Sequence, residues 1–306
     1  MPTYLIRHVT TYRYRSAVAF GDHRMMFRPR ESHDQRSRAF RLEITPTPLD
    51  VRWAEDAAGN LVGTARFGQR ARELTFAAAI EVDHIPLQVD ELRIADHARR
   101  VPFSYGAEEA RDLSRFVERQ HPDPEHVLDR WARGVLSQTG SGETWSLLCR
   151  LTETIRLGFA YLRREESGIQ TPLQTLKLSR GSCRDFAVLM AEAARSLGLA
   201  ARFVSGYLRV PDGEPGLQAA GGSTHAWLQV YLPGAGWIDF DPTSGTVGNR
   251  DLIRVAAVRD PAQAAPLTGS FIGFPQDYLD MSVSVAVALS EQAAAAPPRM
   301  NSSEAA

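Results

Sequence analysis

Cys183, His225 and the pair Asp239 and Asp241 sit in local settings where their side chains could do chemistry. Cys183 lies in Arg180-Gly181-Ser182-Cys183-Arg184-Asp185-Phe186-Ala187. Beyond it, Phe186, Leu189, Met190, Ala193, Ala194 and Leu197 recur at three- and four-residue spacing, which predicts an amphipathic helix. Gly198 supplies its stop, since glycine takes a positive φ at little steric cost. Ser182 suits the N-cap, and Asp185 three positions on completes a capping-box pattern, so Cys183 becomes the first helical residue. Unpaired backbone N–H groups at a helix start favour thiolate over thiol and can donate to a developing oxyanion. The competing reading of Cys183 is a small buried hydrophobe.

Thr224 to Leu232 alternates with the period of a strand, Pro233-Gly234-Ala235-Gly236 reads as a turn, and Trp237 to Asp241 resumes as a second strand before Pro242. A cysteine on a helix start, a histidine on one strand and an aspartate on its partner supply a nucleophile, a base and a group to orient the base. Geometry constrains the hairpin. Facing residues of an antiparallel pair keep a constant index sum, so His225 and Asp241 share a face only if the loop has an odd length or a bulge intervenes. A loop of Pro233 to Ala235 puts Leu232 opposite Gly236 and Trp227 opposite Asp241. Asp241 then lies diagonal to His225 at ~7–8 Å between Cα atoms, a gap that side chains can close.

Gly181-Ser182-Cys183-Arg184-Asp185-Phe186-Ala187, His225-Ala226-Trp227 and Trp237-Ile238-Asp239-Phe240-Asp241-Pro242-Thr243 together resemble the transglutaminase-like superfamily. This is the papain-like branch that includes bacterial cysteine peptidases and transglutaminases. The resemblance covers residues 140–260 well, and residues 1–90 resemble the β-rich N-terminal region of one bacterial subfamily, with Asp56 and Gly59-Asn60 in the matching turn. It implies an α+β fold: a papain-like transglutaminase core, in which the cysteine helix packs on an antiparallel sheet, with an N-terminal β-sandwich-like domain. It also implies Cys183 as nucleophile, His225 as base and Asp241 as the orienting carboxylate. Asp239 is the competing acid, and the motif favours Asp241 because Pro242-Thr243 follow it directly. Two segments depart from the pattern: the small-residue loop before His225, and Pro261 to Pro266, where relatives are more acidic.

The activity implied is cysteine-dependent hydrolysis of an amide bond through an acyl-thioester, on a peptide or protein substrate carrying a carboxamide. A protein-glutamine γ-glutamyltransferase, passing the acyl group to an amine, differs only in what resolves the intermediate. A non-enzymatic interaction module of the same fold is the reading from another class. Tyr161 and Trp227 are candidate oxyanion or cleft residues, with core packing as the alternative for Tyr161. No cofactor and no metal are expected: the remaining histidines lack ligand spacing, and no HExxH, paired CxxC or calcium-loop pattern occurs.

Composition is that of a soluble globular protein. The 306 residues are 43% hydrophobic and 23% charged, enough for a proper core. A formal net charge of −1 argues against a general nucleic-acid or anionic-membrane binder, and no apolar run reaches membrane-spanning length. The first eight residues lack a signal-peptide pattern, and two cysteines make no disulfide scaffold. Free thiols and a cytoplasmic setting are therefore expected, with Cys149 in an apolar helical stretch. Lys177 is the single lysine, so the chain would be a poor amine donor to itself.

Short alternating runs split by turns predict a β-rich domain over 1–90, including strands near 3–14, 40–45, 51–53, 61–67 and 74–84. The arginines at 24, 28, 30, 36, 38 and 41 read as a solvated face or, more sharply, as an anion site. A connector over 91–105 precedes the catalytic domain over 106–260. Its helices are expected over 107–120, 124–137 and 143–157, the second capped by Asp123 with Pro124 at its first position. Leu173 to Ser179 is not clearly helical. Residues 211–223, rich in glycine, proline and alanine, read as a cleft wall or lid. Residues 261–290 form a C-terminal segment whose Met281 to Val287 should add a strand to a sheet edge, and 291–306 read as a disordered tail.

Overall fold

Period-two patterning dominates the first eighty residues. In β1 (Thr3–Phe20) it buries Tyr4, Ile6, His8 and Thr10 on one face. β2 (His23–Met25), β3 (Gln35–Thr45), β4 (Asp50–Glu55), β5 (Leu61–Arg66) and β6 (Ala71–His84) follow. The computed structural model describes residues 1–140, 142–162, 168–211 and 224–290. β1 and β3 flank β6 in one antiparallel sheet, while β2, β5 and β4 form a second. Phe20, Met25, Phe27, Leu74, Phe76 and Ile80 fill the core of this domain, which makes it a sandwich.

The next region is α+β. α1 (Ala107–Val117), α2 (Val127–Gln138), α3 (Thr144–Gly158), β7 (Ala160–Tyr161), α4 (Pro172–Leu178), β8 (Arg180–Gly181) and α5 (Cys183–Ser196) lead into β9 (Ala201–Leu208), β10 (His225–Leu232), β11 (Gly236–Asp241), β12 (Thr246–Val247) and β13 (Leu252–Val258). These last five strands form one antiparallel sheet in the order β12-β11-β10-β9-β13. α5 is buried almost throughout, between that sheet and the other helices; Phe186, Leu189 and Met190 pack there against Leu147, Leu151 and Leu228. Each such side chain contributes about 2 kcal/mol of transfer free energy.

Two local readings change. Residues 172–178 are a helix, because Thr171 accepts from the Gln174 N–H and Pro172 occupies the first turn. The cap signal outweighed an ambiguous apolar pattern. α2 begins at Val127 rather than Pro124. Asp123 still caps it, accepting from the N–H groups of Val127, Leu128 and Asp129, across a turn in which His126 takes a left-handed conformation.

After the sheet of β9 to β13 the chain returns to the sandwich. β14 (Leu267–Thr268) pairs with β2, β15 (Phe271–Ile272) with the end of β1, and β16 (Tyr278–Leu289) with β1 from Tyr14 back to Tyr4. Segment 261–290 thus extends both sheets of the N-terminal domain. The lid expected over 211–223, all but its first residue, and the tail over 291–306 lie outside the described residues. Polar contacts join the two regions. Asn60 exchanges hydrogen bonds with the Ala257 backbone, and Gln35 does the same with the Arg254 backbone. Arg30 leaves the expected arginine face to bind Ala58 O and Asn60, whereas Arg38 and Arg41 pair with Asp83 and Glu43 at the surface.

Candidate functional site

Cys183 is the first residue of α5, delivered there by two-residue β8, whose Gly181 lies close against Asp185. A Cβ at Gly181 would lie 2.8 Å from Asp185 Cβ. Asp185 is fully buried and accepts from the Ser182 N–H and hydroxyl at 2.8 and 2.9 Å and from the Gln170 N–H at 2.7 Å. The serine hydroxyl therefore donates to Asp185 instead of capping the first turn. Cys183 is buried at this helix start, with 8 % of the residue's surface exposed.

His225 opens β10 and the hairpin register brings Asp241 to it. Leu232 faces Gly236 and Gln229 faces Asp239, the three-residue loop that parity requires. His225 Nε2 and Asp241 Oδ2 are 2.8 Å apart, both side chains fully buried. Asp241 is held in turn by the Thr243 N–H at 2.9 Å and the Ser244 hydroxyl at 2.5 Å. With Nε2 engaged, Nδ1 is left buried without a hydrogen-bond partner of ordinary geometry, and Cys183 is the further group that acts on the ring. Burial alone would lower the imidazole pKa. The charge and hydrogen bond of Asp241, with a smaller contribution from Cys183, outweigh it and raise that pKa above its ordinary value. Burial likewise opposes ionisation of Asp241, but His225, Ser244 and Thr243 hold its pKa below the usual carboxylate value.

A thiol at a helix start and a buried imidazole–carboxylate pair on which that thiol acts are the groups a cysteine nucleophile with its base would need. Asp239 faces other partners: Trp227 Nε1 donates to it at 2.6 Å, Gln229 Nε2 at 3.0 Å and Arg254 Nη1 at 3.2 Å. Trp227 is fully buried with its N–H committed to Asp239, so it cannot serve an oxyanion; it flanks the His225 ring instead. Tyr161 is half-buried beside Gly181, its ring edge-on to Phe186. Ser244, Arg254 and Gly206 went unread in the sequence. Only Ser244 left a signal, lying in a turn three residues beyond Asp241. Among the described residues no group of three or more His, Cys, Asp or Glu could hold a metal.

Comparison with known proteins gives the family. Residues 4–83 match the bacterial transglutaminase-like N-terminal region, and residues 130–242 match the transglutaminase-like superfamily. An uncharacterised protein of Mycobacterium tuberculosis is 31% identical over 302 residues, covering 92% of each chain, and one from Mycobacterium bovis matches equally. The chain belongs to the transglutaminase-like superfamily. Among solved structures, a candidate cysteine protease from Cytophaga hutchinsonii has the same fold, with a TM-score of 0.66 and 21% identity over 94% of this chain and 90% of that one.

Proposed function

We propose that the protein is a cysteine-dependent amide-bond hydrolase acting on a peptide or protein carboxamide. The observation that carries this reading is the buried Asp241–His225 pair, whose remaining ring nitrogen is left to Cys183 at the start of α5. Asp241 fixes the imidazole plane and stabilises its charged form, so the Cys183 proton passes to Nδ1. The thiolate attacks the carbonyl carbon, and the oxyanion so formed lies near the uncapped N–H groups of the first turn of α5. As the C–N bond breaks, Nδ1–H protonates the leaving amine, giving a thioester. Water, deprotonated at Nδ1, then attacks the thioester. The C–S bond breaks, a carboxylate leaves and the thiol–imidazole pair is restored.

The test uses a glutamine- or asparagine-containing peptide library with a primary amine present or absent, read by mass spectrometry. Wild type should release ammonia or cleave peptide bonds, and lose this on iodoacetamide treatment or in Cys183→Ala. Exclusive formation of the amine adduct would reassign the protein to glutamine acyl transfer. Turnover unaffected by Cys183→Ala would overturn the mechanism. Absence of turnover, with Cys183 no more reactive than an ordinary thiol, would favour an interaction module.

A further inference from the structure

A buried ion network that the reaction above leaves unused runs from the N-terminal sandwich to the imidazole. Asp34 accepts from Arg254 Nη2 through Oδ1 and from Asn249 Nδ2 at 2.6 Å through Oδ2. Arg254, on β13, also takes Ser32 Oγ at 3.0 Å and reaches Asp239 on β11 at 3.2 Å. Asp239 in turn fixes the Trp227 indole, whose ring lies 6.1 Å from that of His225 at an interplanar angle of 24°. Trp227 has no room to swing away: a Cβ at Gly206, opposite His225 in β9, would come within 2.7 Å of its ring.

Resting on the cysteine-hydrolase reading, we propose that the N-terminal domain positions the catalytic base, through the chain Asp34–Arg254–Asp239–Trp227 that ends on the face of His225. A guanidinium buried between two carboxylates is a poor device for stability, because desolvation consumes most of the Coulombic gain. It is a good device for fixing geometry, since each member accepts only one arrangement of its neighbours. Arg254 also sits where β13 breaks register, and Gln35 holds its backbone on both sides. The strand is thus indexed by the N-terminal domain at this residue. Other charged groups facing the chain are Arg202, through Gln229, Arg30, whose backbone N–H binds Arg254 O, and His33 beside Asp34; His84 approaches through Asn249. Those acting on His225 itself are Asp241 and Cys183. Asp34, Arg254 and Asp239 are positioning residues: none touches the reacting atoms.

The experiment measures the rate of Cys183 alkylation by iodoacetamide against pH, in a Cys149→Ser background, and needs no substrate. Wild type should react well below the pH range of a free thiol, as an ion pair does. Asp34→Asn should slow alkylation at pH 6 about tenfold, equivalent to one pH unit of displacement, with Asp34→Glu recovering most of the rate. Trp227→Phe, which removes the indole N–H without touching the domain interface, should reproduce the shift. Asn60→Ala loosens the same interface at Ala257 but should leave the profile in place at an equal folded fraction, checked by circular dichroism. Superimposable profiles for Asp34→Asn, Trp227→Phe and wild type would overturn the proposal, as would an equal shift in Asn60→Ala. An ordinary thiol profile in wild type would overturn the hydrolase reading and this inference with it.

Discussion

His225 and Asp241 set what single substitutions should do. Cys183→Ala removes the bond-forming atom, so turnover should vanish. Asp241→Asn keeps a group near Nε2 but loses the charge, and should lower kcat about a hundredfold with KM little changed. Ser244→Ala, removing one donor to Asp241, should cost several-fold. Steady-state kinetics check the order. The pair also has a pH signature in stability. Asp241, depressed in the fold, stabilises above the ordinary carboxylate pKa, and this is lost as pH falls through its folded value. His225, raised in the fold, stabilises fully below its ordinary value of 6.5, and this is lost as pH rises through the folded value. Urea midpoints of wild type minus those of Asp241→Asn should therefore be greatest between about pH 4 and 6.5. A difference that grows steadily above pH 7 would contradict the assignment.

At the scale of elements, two glycines decide how closely the parts approach. A Cβ at Gly206 would sit 2.1 Å from Ile253 O on β13 and 2.7 Å from the Trp227 ring. Gly206→Ala must then part β9 from β13 or expel the indole, and should destabilise by about 3 kcal/mol with a loss of activity. Gly181→Ala meets a side chain instead of backbone and should cost less. On α4, Thr171→Ala removes a cap and should cost about 1 kcal/mol while leaving Cys183 reactivity intact, because α4 carries none of the reacting groups. Chemical denaturation measures all three. The helix of Cys183 and the hairpin of His225 and Asp241 were legible from periodicity and turn residues alone. The α4 helix was not, because seven residues make barely two turns and offer too few apolar repeats to set against an accidental alternation.

For the whole molecule, the return of β14, β15 and β16 to the N-terminal sandwich means the transglutaminase-like region is bracketed between two halves of another domain. Truncation after Ala265 would uncover the long edge of β1 and the apolar groups beneath it. The expected outcome is aggregation of the whole chain, read by size-exclusion chromatography, because an open strand edge pairs with other chains. His8 on β1 adds a pH dependence at the domain interface, where it bonds Tyr207 of β9 and Thr10. Burial lowers its pKa to about 4. A lowered histidine stabilises fully above its ordinary value and loses that stability as pH falls from 6.5 towards 4. His8→Gln should flatten this part of the stability–pH curve; an unchanged acid limb would remove His8 from the account. The interface itself was poorly legible. Asn60 could be placed in a turn, but nothing in its neighbours reveals that it binds the Ala257 backbone 197 residues away.

What the residues settle alone are things one segment can specify: a cysteine at a helix start, a hairpin turn between two strands, and the parity that loop must have for a histidine and an aspartate to share a face. Each follows from backbone periodicity, steric limits on φ and the parity of a pleated pair, which act over a few residues. The meeting of Cys183 with His225 depends on how α5 lies across the sheet. The role of Asp239 depends on Arg254 reaching it from β13 and Asp34 reaching Arg254 from another domain. Ion pairs and packing contacts between segments far apart in the chain have no fixed spacing, so only the folded chain decides them.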